Sequence, residues 1–177
     1  MQTIMITGCS SGFGLETARY FLEQGWRVIA TMRAPQEGVL PASDRLRLVR
    51  LDVTSAQSIA EAIAEAGEID VLVNNAGVGM LNALEGAPRE AIANLFATNT
   101  LGTIAMTQAV IPRFRARRSG TIVSITSAVT LQPMPLLAVY TASKAAVNAF
   151  TESLALELRA FNIRVGLILP GRAPQTR

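Results

Sequence analysis

The stretch Thr3–Gly14, which reads TIMITGCSSGFG, decides the fold predicted for the whole chain. Its first five residues form a short apolar run that predicts a buried strand. The next seven place glycines at positions 8, 12 and 14, and a helical pattern of apolar residues starts at Leu15. Glycines between a strand and a helix let backbone N–H groups approach a phosphate at the N-terminus of the helix. The stretch therefore predicts a strand, a phosphate-binding loop and a helix.

The alternation of strand and helix continues along all 177 residues. Apolar runs predict further strands at 26–32, 46–51, 69–73, 120–125 and 163–169, and helices at 55–66, 88–118 and 140–161. Six strands that alternate with helices are typical of an α/β protein with a Rossmann-type, doubly wound parallel sheet. No linker or repeat interrupts the pattern, so we expect a single domain over residues 1–177.

The composition excludes several classes of protein. There is no His and a single Cys, Cys9, so metal sites, imidazole-based catalysis and internal disulfides are not expected. We read Cys9 as a small residue in a tight turn. No apolar run approaches the length of a membrane span, and the N-terminus reads as a strand, not as a signal peptide. We expect a cytoplasmic protein.

The net charge of +3 leaves nucleic-acid binding as a minor alternative. The densest basic run, Arg113 to Arg118, closes a predicted helix, where cations complement the helix dipole. Phe114 is the one aromatic residue in this run, which does not amount to the interleaving of aromatic and basic residues found in many RNA-binding surfaces. We therefore expect a small-molecule substrate and no nucleic-acid partner.

Tyr140 and Lys144 form the most informative pair of side chains, because Lys144 is the only lysine in the chain. Four residues apart in a predicted helix, they share one face. An ammonium beside a phenol favours the phenolate and lowers a pKa that is ordinarily about 10, which suits a general acid/base. Spacing alone also allows a buried tyrosine beside a lysine that reaches solvent.

Polar residues follow several predicted strands, where open α/β sheets bind their ligands. Arg33 follows the second strand with no acidic residue beside it, which favours NADP(H) over NAD(H), unless Arg33 is only a solvated loop residue. The segment Asn74–Gly77 follows the fourth strand and is also compatible with a turn held by Asn side chains. Ser127 follows the fifth strand. Asn99 interrupts a predicted helix, which indicates a backbone irregularity or a polar task.

These motifs together resemble the short-chain dehydrogenase/reductase family, and most closely its NADP-preferring branch of hydroxysteroid, retinol and carbonyl reductases. The matching residues, in chain order, are Thr7–Gly14, Asp52-Val53, Asn74–Gly77, Asn99, Ser127, Tyr140 with Lys144, and Pro170-Gly171. The resemblance implies a Rossmann fold and hydride transfer between a nicotinamide cofactor and a carbonyl or secondary alcohol.

The resemblance also implies a role for each polar residue. Tyr140 would be the acid/base, and Lys144 would bind the nicotinamide ribose and lower the Tyr140 pKa. Ser127 would polarise the substrate oxygen, and Asn99 would hold a water that relays protons. The residues implied to contact NADP(H) are Gly8, Ser10, Ser11, Gly12, Phe13, Gly14, Arg33, Asp52, Val53, Asn75, Ala76, Gly77, Tyr140, Lys144, Pro170 and Gly171.

The chain departs from the family pattern after the sixth strand. A seventh strand and the region that covers the substrate are expected to be missing, which would leave the sixth strand as an apolar edge. A threonine that normally follows the Pro-Gly pair closely is found only at Thr176, which puts its contact to the cofactor in doubt. The alternative function is therefore a catalytically weak or inactive, truncated cofactor-binding module. The long helices from Pro88 and Tyr140 predict a homo-oligomer.

Overall fold

The computed structural model describes residues 1–171, and in this part of the chain it contains one parallel six-stranded sheet. The strand order is β3-β2-β1-β4-β5-β6, so the chain winds outward in both directions from β1 and β4. This order confirms the predicted Rossmann-type doubly wound sheet. The strands are β1 (Thr3–Thr7), β2 (Arg27–Met32), β3 (Leu46–Arg50), β4 (Val71–Asn74), β5 (Gly120–Ile125) and β6 (Ile163–Ile168).

Five α-helices connect these strands within residues 1–171: α1 (Gly12–Glu23), α2 (Ala56–Ala66), α3 (Arg89–Phe96), α4 (Gly102–Arg117) and α5 (Ala138–Arg159). Ser55 caps the start of α2, because its side chain accepts a hydrogen bond from the backbone N–H of Ser58. Gly67 follows α2 with a positive φ of 72°, a conformation that glycine adopts without strain.

The helix predicted over 88–118 is not continuous. Its α3 and α4 portions are joined by a π-helical turn, Ala97–Leu101, which contains Asn99. π-Helical turns occur mostly as local insertions in α-helices and often at functional sites. The backbone irregularity predicted at Asn99 is therefore confirmed. Directly after the turn, Gly102 lies so close to Val53 that a Cβ on Gly102 would be 2.7 Å from a Val53 methyl carbon.

The core consists of two apolar clusters, one on each face of the sheet. Alternate residues of a strand point to opposite faces. In β1, Met5 belongs to the cluster packed with α2, α4 and α5, whereas Ile4 and Ile6 belong to the cluster packed with α1. Burial on both faces explains why the strands read as almost continuous apolar runs.

The arginine run that suggested nucleic-acid binding is engaged in internal contacts. Arg113 donates hydrogen bonds to the carbonyl oxygens of Ile63 and Gly67, 3.0 and 2.8 Å away, at the end of α2. Arg118 donates to a carbonyl oxygen at the end of α5, and the Arg115 guanidinium lies 4.4 Å from the centre of the Phe161 ring. These arginines satisfy helix carbonyls and pack on an aromatic ring, so the run is not a free basic stripe.

The strand β6 forms one edge of the sheet. Among residues 1–171 it pairs with β5 alone, in register from Ile163 to Ile168. Its residues alternate between more and less exposed positions, and half of Ile168 is open to solvent. The predicted apolar edge is present in the described part of the chain. Thr176, the displaced threonine, lies outside the described residues.

Candidate active site

A large cleft opens at the carboxyl ends of the strands, where parallel α/β sheets bind ligands. Its volume is about 870 Å³. One end is formed by the loop between β1 and α1, and the other by Tyr140 and Lys144 of α5. The residues that line it are Gly8, Ser10–Phe13, Met32, Arg33, Leu51–Thr54, Asn75–Gly79, Asn94, Ala97, Thr98, Ile125–Ser127, Tyr140, Lys144, Pro170 and Gly171.

The glycine loop takes the form that its sequence predicts. Gly8 and Gly12 have positive φ values of 75° and 61°, which place the loop in a conformation that other residues rarely adopt. A Cβ on Gly8 would lie 2.9 Å from the Cα of Ala76, so the loop packs directly against the segment after β4. The helix α1 then begins at Gly12, and its N-cap residue, Ser11, makes no side-chain cap. The N–H groups at this helix end are therefore available to an anion.

Gly14 differs from the other loop glycines. It is buried and does not line the cleft. A Cβ at this position would lie 2.3 Å from the carbonyl oxygen of Gly8 and 2.4 Å from Asn75 Nδ2. Any side chain larger than hydrogen at position 14 would therefore clash with the loop, so Gly14 is required for the packing of the loop against α1.

Thr7 and Asn75 hold the glycine loop against the end of β4. The Thr7 hydroxyl accepts hydrogen bonds from the N–H groups of Asn75 and Ala76, at 3.0 and 2.9 Å. Asn75 Nδ2 in turn donates to the carbonyl oxygens of Thr7 and Gly8, at 2.9 and 3.1 Å. Thr7 was not among the predicted site residues, although it belongs to the segment Thr7–Gly14 that resembles the family motif. Asn75 thus shapes the loop as well as lining the cleft.

Asp52 and Arg33 lie at the end of the cleft formed by β2 and β3. The Asp52 carboxylate accepts hydrogen bonds from the N–H and the hydroxyl of Thr54, at 2.9 and 2.7 Å. These bonds, together with the nearby positive charges of Arg33 and Arg50, hold the pKa of Asp52 below its usual value. Asp52 is therefore an ionised hydrogen-bond acceptor at neutral pH. Thr54 lines the cleft two residues after Asp52, although it was not among the predicted site residues.

Cys9 has no chemical role in this loop. Its side chain is fully buried and its thiol points at the carbonyl oxygen of Ile6, 3.3 Å away. Burial raises the pKa of the Cys9 thiol to about 12, because the thiolate would lose its hydration. The interpretation of Cys9 as a small structural residue is consistent with this environment.

Tyr140 and Lys144 lie on the first two turns of α5 and both face the cleft. Lys144 is almost fully buried, and its ammonium donates a hydrogen bond to the carbonyl oxygen of Ile125, 2.9 Å away. Burial lowers the pKa of Lys144 to about 8, since the charged form is poorly hydrated. A pKa of about 8 still leaves most Lys144 side chains protonated at pH 7.

The expected lowering of the Tyr140 pKa is not found in this structure. Burial raises the pKa of Tyr140 above its usual value, and the neighbouring Ser127 side chain opposes that rise. The reason lies in where the Lys144 ammonium is directed, because its hydrogen bond goes to Ile125 at the end of β5. Tyr140 is therefore a neutral phenol near pH 7, and hence a proton donor.

Ser127 follows β5 and begins a short 3-10 turn, Ala128–Thr130. The Ser127 hydroxyl accepts a weak hydrogen bond from the N–H of Val129 at 3.4 Å, and its carbonyl oxygen accepts one from the Thr130 hydroxyl at 2.8 Å. Thr130 is bonded in turn to Asn148 of α5, at 2.9 Å. This chain of contacts ties the Ser127 turn to the helix that carries Tyr140.

Asn99 does not line the cleft but lies fully buried directly behind it. Its side chain makes two hydrogen bonds to the backbone of Val78. Oδ1 accepts from the Val78 N–H at 2.8 Å, and Nδ2 donates to the Val78 carbonyl oxygen at 2.9 Å. A Cβ on Gly77 would lie 3.2 Å from Asn99 Oδ1 and 3.3 Å from the Lys144 ammonium nitrogen. The four predicted catalytic residues thus converge on the same end of the cleft.

A family model described as short chain dehydrogenase matches residues 2–176, nearly the whole chain. The chain belongs to the short-chain dehydrogenase family. This membership agrees with the resemblance on which the site residues were predicted. Within residues 1–171, no helix of this family member has both the length and the apolar character needed to cross a membrane.

Relatives within the short-chain dehydrogenase family include enzymes with apolar substrates in their names. Retinol dehydrogenase 8 of Bos taurus is 42% identical over 182 residues, which cover 96% of this chain and 58% of that protein. The 3-ketodihydrosphingosine reductase of Bacteroides thetaiotaomicron is 42% identical over 174 residues, which cover 96% of this chain and 63% of that protein. The chain thus spans about three fifths of the length of these relatives.

The fold also matches solved structures of the family. The closed form of serine dehydrogenase complexed with NADP+ superposes with a TM-score of 0.92 at 33% identity, covering 99% of this chain and 74% of that one. The sheet order and the position of the cleft are therefore those of a family that uses nicotinamide cofactors.

Proposed function

We propose that this chain transfers a hydride between NADP(H) and a carbonyl compound or secondary alcohol, with Tyr140 as the acid/base. One observation carries the proposal: a single cleft is lined at one end by the glycine loop and at the other by Ser127, Tyr140 and Lys144. An anion-binding helix end and a proton donor in one cleft are what cofactor-dependent carbonyl reduction requires.

In the direction of reduction, a nicotinamide cofactor held in this cleft would supply the hydride for the carbonyl carbon. The Ser127 hydroxyl donates a hydrogen bond to the carbonyl oxygen, on which negative charge develops. The Tyr140 phenol, kept neutral by burial, transfers its proton to that oxygen and becomes a phenolate. The phenolate then takes a proton from solvent to complete the cycle, and the protonated Lys144 would hold the nicotinamide ribose of the cofactor beside it.

The pyrophosphate of the cofactor would lie on the glycine loop. The other residues predicted to contact the cofactor also line the cleft. Together with the loop they are Gly8, Ser10, Ser11, Gly12, Phe13, Asp52, Val53, Asn75, Ala76, Gly77, Pro170 and Gly171. Gly14 would act indirectly, by letting the loop pack. The residues present therefore fit a dinucleotide.

The preference for NADP(H) rests on Arg33. Arg33 lines the cleft and is exposed, so its guanidinium is free to meet a 2′-phosphate. The relative solved with NADP+ supports the same choice. Arg33→Ala is expected to weaken NADPH binding about tenfold, the effect of losing one charged hydrogen bond, and to leave NADH binding unchanged. Arg50→Ala is the control, because Arg50 also lies near Asp52 but does not line the cleft.

We further propose that the substrate is bulky and apolar. Exposed apolar side chains lie on the two loops that follow β4 and β5, and the N–H of Asn82 in one loop donates to the Leu136 carbonyl in the other at 2.9 Å. The relatives named for retinol and 3-ketodihydrosphingosine support an apolar substrate. The exposed side chains are Val78, Leu81, Leu84, Leu131, Met134 and Leu136.

A series of methyl ketones of increasing chain length tests this substrate class. Each methylene group that the loops cover is expected to raise kcat/KM by about threefold to fourfold. Leu131→Ser should reduce the advantage of the long ketones and leave the shortest ketone unaffected. Equal efficiency along the series would contradict the apolar substrate.

Consumption of NADPH in the presence of ketones and aldehydes tests the central proposal. Tyr140→Phe should lower kcat by about a hundredfold or more, since the proton donor is lost. Tyr20→Phe is a matched control, because Tyr20 is the other tyrosine of the chain and lies exposed on α1. Binding of NADPH without turnover of any substrate would favour the alternative, a cofactor-binding module that lacks activity.

We also propose that the chain self-associates through the outer surfaces of the π-helical turn and α5. Leu101 and Leu156 are 62% and 75% exposed there and offer apolar surface that a second copy of the chain would remove from water. Light scattering of the parent chain and of Leu156→Ser tests this proposal, and a monomer in both would contradict it.

A further inference from the structure

Ser143 lies between Tyr140 and Lys144 on α5 but faces away from the cleft. It is fully buried and does not line the cleft. Its hydroxyl donates a hydrogen bond to the Tyr140 carbonyl oxygen, 2.7 Å away. The same hydroxyl oxygen accepts a hydrogen bond from Asn99 Nδ2, at 3.2 Å. The hydroxyl therefore makes one bond inside α5, as a donor, and one to the π-helical turn, as an acceptor.

The π-helical turn contacts the same residue a second time. The hydroxyl of Thr100 donates to the Ser143 carbonyl oxygen, at 3.0 Å. Asn99 and Thr100 are neighbours in the chain, and both are buried. Two successive residues of the turn are thus bonded to one residue of α5, which fixes the turn both along and around the helix.

Both donor protons of the Asn99 side-chain amide are used in this arrangement. One Nδ2 proton is directed at the Val78 carbonyl, the other at the Ser143 hydroxyl, and Oδ1 accepts from the Val78 N–H. If the Ser143 hydroxyl were removed, one Nδ2 proton would be left buried without an acceptor. A buried donor in that state is unfavourable, so the amide would turn or the π-helical turn would shift.

From these contacts we infer that Ser143 is a positioning residue, which fixes Asn99 and the segment after β4 relative to Tyr140 and Lys144. The inference rests on the proposed function, because it assigns Ser143 a purpose within that site. Ser143 touches neither the cleft nor the reacting groups. It acts through Asn99, whose Oδ1 and the Lys144 ammonium border the same small space beside Gly77.

Ser143→Ala is the variant that tests the inference, because it removes the hydroxyl and adds no volume. Thr151→Val is the matched control. Thr151 is also buried on α5 and also donates a side-chain hydrogen bond to another element, to the Ser124 hydroxyl of β5 at 3.3 Å. It lies about two helical turns beyond Lys144, so its loss changes the packing of α5 without touching Asn99.

Three measurements are made on the full chain of each variant: kcat with a ketone, the Kd for NADPH, and the exchange rate of the Asn99 side-chain amide protons by NMR. Ser143→Ala should lower kcat about tenfold, keep the Kd for NADPH within twofold, and speed amide exchange at least tenfold. Ser143→Thr, which keeps the hydroxyl, should restore slow amide exchange. Thr151→Val should leave all three close to the parent values.

The inference is overturned if Ser143→Ala and Thr151→Val lose equal activity, or if amide exchange at Asn99 is the same in Ser143→Ala as in the parent. A parent chain that binds NADPH but turns over no substrate contradicts the proposed function instead. In that case the inference is judged by amide exchange alone, which requires no turnover.

Discussion

The buried ammonium of Lys144 should make this protein less stable at neutral pH than its fold would otherwise allow. The folded-state pKa is about 8, against an ordinary value of 10.5. Below pH 8 the unfolded and folded states both hold the proton, and the folded state carries the full desolvation penalty. The difference of about 2.5 pKa units corresponds to a penalty on the order of 3 kcal/mol.

Replacing Lys144 by Met should remove this penalty at little change in shape. Between pH 8 and 10.5 the unfolded state binds more protons than the folded state, so the stability of the parent rises with pH. The advantage of Lys144→Met over the parent should therefore be largest at pH 7, at about 3 kcal/mol, and fall to about 1 kcal/mol at pH 9.5. Loss of the bond to Ile125 shifts the comparison by a constant amount and does not alter its pH dependence.

The difference in the free energy of unfolding between Lys144→Met and the parent separates the effect of Lys144 from that of two groups with the opposite pH dependence. Burial raises the pKa of Cys9 to about 12 and raises that of Tyr140, so both groups lose stabilisation as the pH rises through their unfolded-state values. These contributions are common to both proteins and cancel in the comparison. Lys144→Arg is a second control, because a guanidinium stays charged throughout and should show no such pH dependence of its own.

Urea unfolding followed by the fluorescence of Trp26, the only tryptophan, provides the assay. Trp26 packs edge-on against Phe21, with ring centres 4.9 Å apart, so its emission should report loss of the fold. The free energy of unfolding is measured for each protein at pH 7, 8, 9 and 9.5. A difference between Lys144→Met and the parent that stays constant over this range would refute a depressed Lys144 pKa.

Two further predictions concern packing. Gly14→Ala should lower the free energy of unfolding by about 2 kcal/mol and weaken NADPH binding, because its Cβ would lie 2.3 Å from the Gly8 carbonyl oxygen. Gly166→Ala, whose Cβ would meet no atom within 4 Å and which does not line the cleft, should be neutral, and equal losses would contradict this account. Arg113→Met should cost about 1 to 2 kcal/mol in urea unfolding, since two carbonyl groups at the end of α2 lose their donor. The exposed Arg164→Met should cost almost nothing, and no loss at Arg113 would show that these bonds do not stabilise the fold.

Features that depend on neighbouring residues in the chain were predictable. The strand, glycine loop and helix of residues 3–23, the cap at Ser55 and the irregularity at Asn99 each follow from local patterns. The boundaries of β1 and β5 agree with the structure, and the other strands differ by one or two residues at their ends. Local periodicity is a reliable guide here because burial on both faces of the sheet demands unbroken apolar runs.

Features that depend on distant segments were not predictable. The sequence shows the arginine run only as a cluster of positive charges. The carbonyl oxygens to which these arginines donate hydrogen bonds lie up to 50 positions away in the chain, at the ends of α2 and α5. The roles of Thr7, Thr54 and Ser143 could not be predicted either, because each role depends on the hydrogen-bond partner that the fold brings to the hydroxyl. The same is true of Gly14, whose need for glycine comes from Asn75 and Gly8 together.

The amino-acid sequence by itself determined the order of strands and helices, the glycine loop and the four-residue spacing of Tyr140 and Lys144. Each of these follows from the short-range geometry of helices and strands. Only the tertiary structure decided the protonation of the pair. It lowers the pKa of Lys144 toward 7 and raises the pKa of Tyr140 further above 7. Desolvation is the reason, since the segments that exclude water from these two groups, among them the ends of β4 and β5, are brought there by folding.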